Sequence, residues 1–225
     1  MSGFMNFWQG LDWSVLTDMV FSVLPAIVCI TVHETFHGLA ALLLGDSTAK
    51  NSGRLSLNPL RHIDVFGLIM MVTFKFGWAK PVQVNMFRFK NPKIGMAITA
   101  LAGPASNIIL AVIVLFLYGL LFPLLYNGTN ISTAFLEAVY TTAYLSTSLA
   151  LFNLLPIPPL DGSKVLFSVL SDRAYYRLMR YEKYGMVFLF VVLASGVFSQ
   201  PLYTVTEFVF DKLFFAAKLS FGLVT

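Results

Sequence analysis

Residues 15–44 form an apolar run long enough to cross a bilayer with some tilt, yet His33, Glu34 and His37 sit inside it. Ionisable groups at that depth are expensive, about 2.5–3.5 kcal/mol for each charged residue on insertion scales. Three of them in one turn require a compensating interaction, and that requirement constrains this chain more than any other feature. The rest of the sequence agrees with a membrane setting. Of 225 residues, 57% are hydrophobic and 12% are charged, against about 25% charge in soluble domains. Mean hydropathy is +0.77. The net charge of +4 fits an excess of Lys and Arg in cytoplasmic loops, and no polar domain carries the basic patch that nucleic-acid binding needs. A single cysteine, Cys29, excludes an intramolecular disulfide. The first twelve residues hold no Lys or Arg, so they lack the positive region of a cleaved signal peptide.

The expected fold is an all-α polytopic membrane protein with four to five transmembrane helices, folded as one membrane-embedded domain over residues 1–225. After the first span comes a polar loop, "DSTAKNSGRLSLNPLRHID". "VFGLIMMVTFKFGW" is short for a span and reads as a re-entrant piece. "AKPVQVNMFRFKNPK" alternates and reads as a short β-strand or hairpin near the interface. Further spans are expected over 94–126, 135–155 and 185–198, and the tail over 201–224 is either a fifth span or an interfacial helix. Lys and Arg cluster in 50–93 and 164–183, while the N-terminus and the 127–133 loop have none. The positive-inside rule then puts both basic regions in the cytoplasm and the N-terminus outside. Spans one and three both end at the cytoplasmic face.

His33 and His37 are four residues apart and share one face of a helix. Two neutral imidazoles at that spacing can bind one zinc ion. Glu34 can then reach the fourth position as general base, and His-Glu-x-x-His on a helix is a zinc-protease pattern. The alternative is a buried hydrogen-bond network among the three. A catalytic zinc needs a third protein ligand, and Asp161 in "NLLPIPPLDG" is the candidate, at the same end of the bundle as His37. The spacing alone leaves Asp161 equally able to act as an N-cap. His62 reads as a solvated loop residue, Cys29 as a small apolar packer, Asp46 and Asp64 as turn and cap groups, and Glu137 lies at the far end of its span. Asn153 and Asn107 are amides in apolar surroundings. Each either donates to a scissile carbonyl or bonds between helices. "AKPVQVN" either pairs with an extended substrate or packs over the site.

"HETFH", "GRLSLNPLRHID", "FGWAKPVQVN", "LAGPASN" and "FNLLPIPPLDG" occur in the order seen in the site-2 protease family of intramembrane zinc metalloproteases, which this chain resembles over about residues 28–170. It is similar to the short prokaryotic form. The resemblance implies one zinc per chain, held by His33, His37 and Asp161, with Glu34 as catalytic base and Asn153 as a second catalytic candidate. It also implies cleavage of transmembrane or membrane-associated protein segments in the cell membrane, in regulated intramembrane proteolysis, with the site toward the cytoplasm. Many members carry a PDZ-like domain, for which this chain has no room, so an adaptor or regulator protein is an expected partner. A membrane metal transporter or sensor using the same histidines is the rival, and it would need polar residues along further spans. Two Asn-x-Ser/Thr patterns begin at Asn127 and Asn130.

Overall fold

The computed structural model describes residues 13–64, 66–67, 69, 80–126 and 129–224. Among them the regular structure is helical. Helix α1 spans Trp13–Leu43, the short α2 Thr48–Asn51 and α3 Pro92–Leu125. Then follow α4 (Asn130–Asn153), α5 (Asp161–Ser168) and α6 (Asp172–Tyr181). The chain ends in α7 (Gly185–Ala194), α8 (Ser199–Leu213) and α9 (Phe215–Phe221). Helix α3 begins where the sequence signals it: the Asn91 side chain accepts from Ile94 N–H, and Pro92 opens the first turn.

Among the described residues two helices are long and apolar enough to cross a membrane, Val23–Leu43 within α1 and Pro92–Leu125. They become three if the segments Tyr184–Ala194 and Ser199–Phe221, bent by 87° at their junction, count as one broken span. This is fewer than the four to five expected. Helix α4 forms where the third span is expected and has the length, but not the apolarity. Its hydroxyls explain why. Thr142 and Thr147 bond back to Ala138 and Ala143 carbonyls within the helix, and Ser146 reaches the Asn107 carbonyl on α3. Helix α4 packs against both α1 and α3. Helix α7 has only 10 residues before the chain turns, too few to span alone. Helix α3 does the opposite: its most apolar window is only 17% buried within the protein, and Ile109, Ile113 and Leu117 point outward. An apolar surface of that extent belongs against lipid.

The hairpin is also corrected. Residues 80–85 are extended, as the alternation suggests, but no strand forms among the described residues. The extended backbone uses other acceptors. Lys80 N–H donates to the His62 carbonyl (2.8 Å), Val82 N–H to Glu34 Oε2 (2.8 Å) and Asn85 N–H to Asp46 Oδ2 (2.6 Å). Two carboxylates of α1 and its following turn therefore do the work of a partner strand. Most of the re-entrant piece lies outside the described residues.

Asp46 is fully buried. It caps its own turn through Thr48 N–H (3.0 Å) and the Thr48 hydroxyl, with Arg88 Nε at 3.8 Å. Burial pushes its carboxyl up, but these hydrogen bonds, the one from Asn85 and the Arg88 charge bring it below the ordinary carboxylate value. Asp64 accepts from Gly67 N–H (2.9 Å), as a turn group should. His62 is not solvated: it is 1% exposed, with Nε2 2.7 Å from the Ser56 carbonyl. That carbonyl also accepts from Thr35 Oγ1 on α1 (2.9 Å), so the loop is drawn down against the first helix. Cys29 is buried and its thiol donates to the Thr142 carbonyl (3.4 Å), a packing contact between α1 and α4.

Candidate metal centre

The helical period of α1 turns His33 and His37 to the same side, with ring centroids 4.5 Å apart and planes at 89°. Both rings rest on α3. A Cβ added at Gly103 would lie 2.5 Å from His37 Nε2 and 2.7 Å from His33 Cε1, so the absence of a side chain there lets the rings reach the helix backbone. Asp161 comes from the proline-rich break after α4. It is not an N-cap: Leu160 holds that position, and Asp161 is the first residue of α5. Its carboxylate is directed at the histidines, with Oδ2 3.1 Å from both His33 Nε2 and His37 Nε2. One ligand atom from each of the three residues falls within 4.8 Å of the others.

The second ring nitrogens fix what these atoms can do. His37 Nδ1 lies 2.7 Å from the Thr99 carbonyl, which can only accept, so Nδ1 carries a hydrogen. The neutral ring then presents its Nε2 lone pair to the lone pairs of Asp161 Oδ2 at 3.1 Å. Acceptors so close repel unless a metal ion or a ring proton lies between them, and His/His/carboxylate is a donor set suited to zinc. The residues present fit the metal.

Around this group lies a cavity of about 400 Å³, lined by His33, Glu34, His37, Asn153, Asp161 and Lys164 together with Pro81, Val82 and Val84 of the extended segment. Glu34 Oε2 is held by Val82 N–H. Asn153 donates one amide hydrogen to the Leu149 carbonyl of its own helix (2.9 Å), and an amide nitrogen has a second to offer. All five sequence-predicted site residues therefore meet in one cavity. Glu137 does not belong to it; it lines a separate hollow with Tyr118 and Tyr140.

Sequence reasoning missed Lys164 and Glu182. Lys164 Nζ lies 3.7 Å from Asp161 Oδ1 and 3.9 Å from Glu182 Oε1, linking the free carboxylate oxygen to the turn after α6. The i,i+3 spacing from Asp161 is a signal that could have found Lys164. Nothing local points to Glu182, which arrives from a different element.

A family model described as Peptidase family M50 matches residues 122–197, the part of the chain holding Asn153 and Asp161 but not the two histidines. Among curated relatives, YwhC of Bacillus subtilis (strain 168) is 37% identical over 192 residues, covering 84% of this chain and 86% of YwhC. Rip2 of Mycobacterium tuberculosis (strain H37Rv) is 28% identical over 189 residues, covering 82% of this chain and 71% of Rip2. Both are provisionally named zinc metalloproteases. No solved structure gives a significant match.

Proposed function

This chain belongs to peptidase family M50, the site-2 family of zinc metalloproteases, and from that premise we propose that it hydrolyses peptide bonds of transmembrane or membrane-associated segments at the His33–His37–Asp161 centre. The observation that carries this reading is the convergence of two histidine Nε2 atoms and Asp161 Oδ2 in a cavity that Glu34 also lines. His33, His37 and Asp161 are the metal ligands. When bound, zinc supplies Lewis acidity to the scissile carbonyl and to the attacking water.

The protein's own groups do the rest. Val82 N–H pins Glu34 Oε2, so Oε1 takes the proton from water and returns it to the leaving amine. The second Asn153 amide hydrogen is available to the carbonyl oxygen as charge builds there. Lys164 draws on Asp161 Oδ1 and leaves Oδ2 toward the histidines. A substrate helix must unwind to enter, which Gly or Pro near the cut favours. Such a peptide would lie along residues 80–85.

The basic regions 50–93 and 164–183 support an orientation with the site toward the cytoplasm and the N-terminus outside. The chain acts as a single catalytic unit in the cell membrane, in regulated proteolysis, with substrate selection shared with a separate adaptor protein.

The test is metal content and cleavage on one preparation. Wild type, Glu34→Gln and Asp161→Ala are purified in detergent, and zinc per chain and cleavage of a model transmembrane substrate are measured. About one zinc is expected in wild type and Glu34→Gln, less in Asp161→Ala, and cleavage only in wild type. Unchanged cleavage in Glu34→Gln, or wild type without zinc, would overturn the reading.

A further inference from the structure

Asn107 lies in the middle of α3, fully buried. The sequence leaves its role open between binding a reacting group and joining helices. The structure separates these. The bond between α3 and α4 at this level runs from Ser146 Oγ to the Asn107 backbone carbonyl (2.8 Å), and the side chain takes no part in it. The Asn107 amide is directed instead at His33: its Nδ2 lies 3.3 Å from His33 Nδ1. Its Oδ1 is buried with no hydrogen-bond partner. A buried amide with half its capacity unused is costly. Here the unused half is the acceptor that a metal-ligating histidine requires.

The comparison with His37 shows why. His37 Nδ1–H is committed to the Thr99 carbonyl at 2.7 Å, so in the neutral ring Nε2 offers a lone pair. His33 has no backbone carbonyl in that position. With Nδ2 toward it, Nδ1 accepts, the ring hydrogen sits on Nε2, and Nε2–H donates to Asp161 Oδ2 at 3.1 Å. That tautomer cannot ligate through Nε2. Turning the amide over brings Oδ1 to Nδ1–H and frees Nε2, and the two ends of an amide are close enough in shape for either to fit.

We propose that Asn107 is the positioning residue of His33, its side-chain oxygen holding Nδ1–H whenever Nε2 serves as a metal ligand. Asn107 thus takes the part that the Thr99 carbonyl plays for His37. Partners of this kind orient the ring and raise its basicity, and their loss typically weakens metal binding about 10–100-fold. The inference rests on the metal reading above.

Zinc affinity of the full-length protein in detergent, measured by competition with a chelating indicator, tests it. Asn107→Leu, close in size and without polar atoms, is expected to bind zinc about 10–100-fold more weakly. Asn107→Asp, whose carboxylate still accepts from Nδ1–H, is expected to stay near wild type. Ser146→Ala is expected to lower the unfolding temperature and leave zinc affinity unchanged. Asn107→Ala carries the same prediction as Asn107→Leu should the latter not fold. Wild-type affinity in the Leu or Ala variant would overturn the inference and leave the metal centre standing, as would an Asp variant as weak as Leu. A wild type that binds no zinc would overturn the metal reading itself, and this inference with it.

Discussion

Helix α3 carries two different kinds of interface along its length. In its first half, the face of Thr99, Gly103, Ser106 and Asn107 is buried and backs the histidines, although it holds a threonine, a serine and an asparagine. Its second half meets α8 and α9 through Leu115, Phe210 and Ala217, with Tyr118 and Phe214 packed around them, their rings tilted to one another. Each half has a glycine where another group comes close. At Gly103 the neighbours are the two imidazole rings. At Gly119 they are the Ala217 carbonyl oxygen and Ser220 Oγ, each 2.1 Å from where a Cβ would stand. The lesson is that a small residue in a membrane helix does not reveal its purpose. One glycine makes room for chemistry and the other for a helix crossing.

Substitution separates the two halves. Gly103→Ala is expected to have the largest effect. A methyl group there displaces both rings, and misplacement by about 1 Å can cost on the order of 100-fold in rate. Cleavage should fall by at least about that factor with a loss of bound zinc, while the helical circular-dichroism signal stays. An active, zinc-loaded Gly103→Ala protein would break the distinction. Gly119→Ala should do the reverse. Its Cβ meets backbone, which cannot swing aside, so unfolding in detergent should show a loss of about 3 kcal/mol, the upper end of overpacking costs. Zinc content per folded chain should not change.

Asp46 sharpens the comparison on the polar side, because it is a buried polar anchor that does not line the metal-centre cavity. Asp46→Ala removes the acceptor of Asn85 and Thr48 N–H and should cost about 1–3 kcal/mol near neutral pH. The pH dependence has a definite sign. The folded carboxyl lies below its ordinary value, so its contribution is present above the unfolded value of about 3.9 and is lost as pH falls through the folded value. Thermal unfolding followed from pH 6 downward should show the two proteins converging in acid. Constant separation would show that Asp46 acts by packing alone. The smallest effect is expected at Cys29, one turn before His33. Cys29→Ala removes only a weak bond to Thr142, and should change stability by less than about 1 kcal/mol, with zinc binding and cleavage unaltered.

How much of this was legible in the sequence follows from the range of each interaction. The α1 and α3 helices and the His33–His37 pair depend on local spacing, and a 3.6-residue period can be read directly. The extended form of residues 80–85 was legible for the same reason. Its partners were not, because Glu34 and Asp46 lie 48 and 39 positions away from the groups they bind. Asp161 stood between ligand and cap until the motif set "FNLLPIPPLDG" decided it, since the choice depends on which way one side chain turns at a helix start. His62 was misread because it bonds to the Ser56 carbonyl, which Thr35 on α1 also holds, and a loop carbonyl shared in this way leaves no mark in a sequence. The span count was less legible, because α4 has spanning length while its serines and threonines lower its apolarity and bond to carbonyls of its own helix and of α3.

The 128-residue separation between His33 and Asp161 also sets an order of events during synthesis. Chains emerge N-terminus first at about 5–20 residues per second, so the histidines precede the aspartate by roughly 6–26 s. Closing so long a loop carries an entropic cost that only the packed bundle offsets. The nascent chain therefore holds an incomplete ligand set while its first helices enter the membrane, and its cutting chemistry waits for the last third of the chain.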